Sequence, residues 1–199
     1  MSLNLADMSA LLRATLSTPR QGLRQVLNAD PGLALRLQAL VLMAVASSLV
    51  LHFGFYLSPV PPGNPLFDAL TASPFRTAIL QAIILWTTAV LIHVLGRAAG
   101  GQGTFADALL AVVWLQVLFI LLQGLQTLAL VVMPPLAPVL GLASLGLFFW
   151  LMPHFVAEVH GFASVGKTFL GIVAAMLAIS FLMSFLLAMI LGPEAFTNV

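Results

Sequence analysis

Between Asp107 and Glu158 the chain carries no Lys, Arg, Asp or Glu for fifty residues. A soluble domain spreads about a quarter charged residues over its surface, so a stretch of this kind cannot face water. About 20 apolar residues in a helix cross a bilayer's hydrocarbon core, and residues 108–157 are long enough to cross it twice. Residues 37–67, 77–96 and 168–193 are also free of charge. The expected architecture is therefore all-α and polytopic, with five transmembrane helices. Helices are favoured because hydrocarbon leaves no partner for an unsatisfied backbone group.

Along the chain, Leu5, Met8, Leu12 and Leu16 recur at helical spacing, which predicts a short amphipathic helix over 3–16 lying on the membrane surface. Thr18-Pro19 reads as a cap followed by Pro at the first helical position. Leu23, Val26 and Leu27 then give a second amphipathic turn, with Arg20 and Arg24 on its wet side. Residues 1–32 form this amphipathic N-terminal segment, and 33–199 the transmembrane domain. Asp30-Pro31 repeats the cap signal before span one, about 33–57, where Arg36 is placed to snorkel to the headgroups. His52 near the end of that span reads as a lone interfacial histidine. Prolines crowd 58–75, leaving room for one short interfacial helix from Asn64-Pro65 to Leu70. Ser73-Pro74 opens span two, about 75–96. Thr104, with Asp107 three residues on as an acidic capping box, opens span three, about 105–131. Met133-Pro134-Pro135 turns into span four, about 136–157, where Pro153 is expected to kink the helix. Gly161 ends it, and span five covers about 165–191.

Basic residues set the expected orientation. With a cytoplasmic N-terminus, Arg13, Arg20, Arg24, Arg36, Arg97 and Lys167 lie inside and only Arg76 lies outside. This favours a cytoplasmic N-terminus and a far-side C-terminus; the very high Ala and Leu content suggests a bacterial protein, whose inner membrane and periplasm are then the expected setting. Asp7 and Asp30 ahead of the first apolar run speak against a cleavable signal. A net charge of +1 gives no reason to expect nucleic acid as a partner. The chain has no Cys, which excludes disulfides and thiolate chemistry.

Lipid tails are as apolar as Leu, so helix association depends on close approach through small residues and on polar contacts. Ser180, Ser184, Ala188 and Gly192 form a four-residue ladder on span five. Gly171 and Ala175 begin another, and span four offers Ala137 and Gly141. These ridges are where helices should touch, within the chain or between two copies. Gln116, Gln123 and Gln126 should face the bundle interior, as interhelical hydrogen bonds or as a polar pathway.

His93, His154, Glu158 and His160 fall at the cytoplasmic ends of spans two and four. A zinc site needs at least three such ligands converging. No fixed-spacing metal motif exists, so salt bridges or hydrogen-bonded pairs are expected and no metal or cofactor is assigned. Gly101-Gln102-Gly103-Thr104-Phe105-Ala106 imitates a dinucleotide fingerprint, and Gly161 with Gly166-Lys167-Thr168 imitates a phosphate loop. Both follow membrane helices rather than strands, the wrong setting for nucleotide binding. No catalytic constellation is visible.

Three pieces of the chain, Thr18-Pro19-Arg20, Gly100-Gly101-Gln102-Gly103-Thr104-Phe105, and Trp150 through His160 with Ala163-Ser164 and Lys167, resemble the Yip1 (YIPF) family in its bacterial branch. The resemblance implies five spans, a cytoplasmic N-terminus and a short far-side tail. Eukaryotic members look like partners of Rab-type GTPases in vesicle traffic. Only about 36 residues precede span one here, against the long N-terminal cytosolic region of those members, so that role is not expected to carry over. The expected function is a non-enzymatic membrane protein that binds or organises membrane components, with lipids, a membrane-protein partner or a second copy as its contacts. A small oligomeric transporter or channel is the alternative.

Overall fold

The computed structural model describes residues 5–59, 63, 68–69 and 71–191. Among these there are seven helices and no strand. Two short ones, α1 (Leu5–Ser17) and α2 (Pro19–Asn28), precede five long ones: α3 (Leu33–Leu57), α4 (Pro74–Ala98), α5 (Phe105–Val132), α6 (Leu136–His160) and α7 (Val165–Leu191). The five long helices are each apolar and long enough to cross a membrane. The chain is thus a multi-pass membrane protein. The expected helix between 64 and 70 falls mostly outside the described residues, as do Gly192 and the tail beyond it.

The helix ends follow local chemistry. At α4, Ser73 Oγ accepts from the Arg76 N–H (3.3 Å) with Pro74 behind it. At α5, Thr104 Oγ1 accepts from the Asp107 N–H (3.1 Å) and donates to the Asp107 carboxylate (2.6 Å). α4 and α6 both finish on a left-handed glycine, Gly100 (φ +87°) and Gly161 (φ +71°). Each has the crossed pair of bonds that satisfies last-turn carbonyls: Gly101 N–H to Gly96 and Gly100 N–H to Arg97, then Phe162 N–H to Ala157 and Gly161 N–H to Glu158.

At two expected caps the side chain bonds elsewhere, although Thr18 does stand at the start of α2 ahead of Pro19. Thr18 Oγ1 turns back to donate to the Ala14 carbonyl (3.0 Å) rather than capping α2. Asp30 sits at φ +39°, and Gly32, not Asp30, precedes α3. The Asp30 carboxylate is drawn off by Arg36, a stronger charged partner (2.7 Å).

α5 is the central helix. Half of its most apolar window is buried, against about a fifth in α3, α4 and α6 and none in α7. Ala108, Ala111 and Val112 of α5 are small enough to bring α3, α4 and α6 close. Leu40 and Ala44, Leu85 and Ala89, and Leu151 and Phe155 close the core around them. α6 continues through Pro153, which is buried. α7 packs mainly on α6.

The N-terminal helices are packed on the bundle. Thr15 is fully buried, and its hydroxyl accepts from the Trp114 indole N–H (3.1 Å) while donating to the Leu11 carbonyl (2.8 Å). Leu23 of α2 is also fully buried. The predicted surface helix thus buries its polar Thr15 against a span, because Trp114 needs an acceptor inside an apolar core. α1 meets α2 closely: a Cβ on Gly22 would sit 2.5 Å from the Thr15 Cα. Gly22→Ala should therefore pry the hairpin apart at a cost of about 1–3 kcal/mol. Trypsin cleavage at Arg13, Arg20 and Arg24 in lipid nanodiscs should accelerate while the spans stay intact.

Candidate functional site

His160 and the ion pairs of Glu158 and Arg36 gather at one end of the bundle, where α3 and α5 begin and α4 and α6 finish. The organising group is His160, the last residue of α6, only 2% exposed. Its Nδ1 lies 3.2 Å from the Gly103 N–H and its Nε2 lies 3.0 Å from the Ile92 carbonyl. A backbone N–H only donates and a carbonyl only accepts. The ring is therefore the neutral tautomer with its proton on Nε2. Its own carbonyl accepts from the Gln102 N–H (3.1 Å), and its ring stacks on Phe162.

Glycine makes room for this ring. A Cβ on Gly96 would land on Nε2, one on Gly101 would sit 2.5 Å from Nδ1, and one on Gly103 would lie 2.6 Å from the Val159 side chain and 2.9 Å from Nδ1. The segment that imitates a dinucleotide fingerprint is thus a socket for a histidine from another helix.

Beside it, Glu158 anchors the N-terminal hairpin. Its carboxylate, 7% exposed, accepts from Arg20 Nε (2.9 Å) and Arg24 Nε (2.5 Å), both on α2. That hydrogen bond, then the charge behind it, raises the Arg24 guanidinium above its ordinary pKa. On the α3 side, Arg36 is 4% exposed. Its Nε donates to the Pro31 carbonyl (2.6 Å), Nη2 to Asp30 (2.7 Å) and Nη1 to Asp107 (3.3 Å). Rather than snorkelling, Arg36 is enclosed, because the Asp107 that caps α5 lies within reach of it.

The other histidines go elsewhere. His154 donates from Nδ1 to the Trp150 carbonyl (2.6 Å) and lies against the Trp150 ring. His93 meets Phe105 edge-on, with its Nδ1 buried and without a hydrogen-bond partner among the described residues. His52 lies between the Ser48 and Thr71 carbonyls, tying α3 to the segment before α4. Among the described residues, no three His, Asp or Glu side chains come together as a metal ion would need.

Deeper in the spans, Gln116 Nε2 donates to Ser47 Oγ (3.1 Å), whose hydroxyl donates to Gln123 Oε1 (3.3 Å). One chain of bonds thus joins α3 to α5. Gln126 Nε2 donates to the Ala137 carbonyl (3.2 Å), joining α5 to α6, and packs at 3.2 Å from where a Gly141 Cβ would stand. Among the described residues the α7 ladder makes no such bond: Gly171, Ser180 and Ser184 are exposed, and Ala175 and Ala188 are half-buried.

Residue order carries no direct sign of the His160 socket, the Trp114–Thr15 bond or the Arg36–Asp107 pair. The one available signal was charge: Glu158 is an acid at an end otherwise rich in arginine.

Gly101→Ala should cost about 1–3 kcal/mol through overlap with the ring, and His160→Ala about 1–3 kcal/mol through the orphaned Gly103 N–H. In the double variant the added methyl meets no ring, so Gly101→Ala should cost clearly less than it does alone. Thermal unfolding of the solubilised protein measures this cycle, and additive losses would refute the socket. Glu158→Gln should speed amide exchange across residues 19–28 while the spans remain protected.

The Yip1 domain family profile matches residues 13–188, from α1 to near the end of α7. Neither a search of curated proteins nor one of solved structures gave a match. The match covers the end of α1, all of α2, the glycine loop, four of the five apolar helices in full and most of α7, and the chain belongs to the Yip1 domain family.

Proposed function

We propose that this protein is a non-enzymatic membrane component that works by binding and organising other membrane constituents, with α7 as the contacting element. The observation that carries the reading is the placement of α7. It is a span-length helix packed mainly on one neighbour, with Ser180 and Ser184 four residues apart and exposed. Neither hydroxyl has a hydrogen-bond partner among the described residues. Serines at helical spacing let another helix approach closely and offer it hydrogen bonds.

The remaining polar groups support the same reading from the other side. Gln116, Gln123 and Gln126 bond to α3 and α6, and Glu158 and His160 bond to α2 and the glycine loop. These groups are committed to holding helices together, which takes away the main support for a polar transport path. In the proposed orientation the N-terminal hairpin and the His160 end face the cytoplasm of a bacterial cell, and the C-terminus lies across the inner membrane. Six of the seven Lys and Arg residues in the chain fall on that side.

A photoreactive residue at position 184 in native membranes should give a discrete adduct with a second copy or another membrane protein. The adduct should disappear when Ser180→Leu and Ala188→Leu roughen the face. The same probe at 123 should give none. Absence of any adduct at 184, together with solute flux through reconstituted liposomes, would replace binding by transport.

A further inference from the structure

We infer that the groove between α4 and α7 holds one anionic phospholipid, its phosphate on Lys167 and an acyl chain laid along α7. Because α7 leans on α6, an open-sided groove of about 650 Å³ remains between it and α4. Leu91 and Leu95 from α4, Met152 and Val156 from α6, and Ile172 and Ile179 from α7 make its apolar walls. Lys167 is its one charged lining residue and no acid lines it. Lys167 is exposed and forms no ion pair among the described residues, unlike Arg20, Arg24 and Arg36.

Two features select the occupant. The first is length. From Lys167 to Ile179 the α7 wall rises 12 residues, about 18 Å at 1.5 Å each. One leaflet of a hydrocarbon core is about 15 Å deep. The groove is therefore as long as one acyl chain is deep, with its cation where the headgroup phosphate lies. The second is charge. The ammonium stands at the basic end of the bundle, where a phosphate is attracted and another cation is repelled. A second copy of the chain would bring its own Lys167 and Arg97 to the same depth, since every copy inserts the same way round. An acyl chain also fits an uneven apolar slot without needing the slot to be shaped as a helix seat.

The inference gives the binding role proposed above a ligand class, and it uses the inner side of α7 rather than the face with Ser180 and Ser184. It is tested on the full-length protein in nanodiscs made of equal phosphatidylglycerol and phosphatidylcholine with identical acyl chains. Native mass spectrometry after gentle release counts the lipid that stays bound. The expected result is retention of one phosphatidylglycerol, preferred about fivefold, the effect of one interfacial lysine. Lys167→Gln should abolish the preference, and Arg97→Gln, outside the groove, should leave it. Ala175→Trp, which fills the groove, should abolish retention of either lipid. Equal retention of the two lipids by the wild type, or a preference that survives Lys167→Gln, overturns the inference. The Lys167→Gln result stands even where Ala175→Trp does not fold. Adducts at position 184 without lipid preference would leave the binding role standing and remove this site. Lipid preference without adducts would do the reverse.

Discussion

Within hydrocarbon, a polar group that finds no partner in the protein finds none at all, and the arrangement of this chain follows from that constraint. Apolar side chains cannot hold the spans together, because lipid solvates them as well as a neighbouring helix does. What lipid cannot replace is a hydrogen bond or a close backbone approach. The His160 socket supplies both. One imidazole accepts from Gly103 and donates to Ile92, and three glycines let the loop after α4 close around it. These ring bonds, with the Gln102 N–H on the His160 carbonyl, link α6 to the junction of α4 with α5.

The same logic extends along the bundle. Ser47 bridges Gln116 and Gln123, and Gln126 reaches the start of α6. At the basic end the arginines are used to dock the hairpin and to close the space around Asp107, since a half-buried carboxylate needs a cation close by. α5, which contributes to most of these contacts, is correspondingly the most buried span. α7 contributes to none of them and is the least buried. Its polar groups, Lys167 at one end and two serines further along, are the ones left for contacts beyond the chain.

Much of the architecture was legible in residue order. Charge-free length gave the five spans, and Ser73, Thr104 and Gly161 marked helix ends that the structure uses. Thr18 stands at the cap position ahead of Pro19 as read, but its hydroxyl is taken by the Ala14 carbonyl, and the Asp30 reading failed because its carboxylate is taken by the Arg36 guanidinium. Periodicity located the α1 helix but not its surroundings, since the partner of Thr15 is Trp114, ninety-nine residues away.

The sequence by itself determined the solvent, the number of crossings and the end of the bundle that collects positive charge, because these depend on local composition summed over about 20 residues. Only the tertiary structure decided what the glycines, His160, Glu158 and Arg36 are for. Their partners lie on other helices, and the helical repeat within one span carries no information about which neighbour it meets. Glycine in particular reads as a break in sequence, and becomes a socket only when a ring from another helix is placed in it.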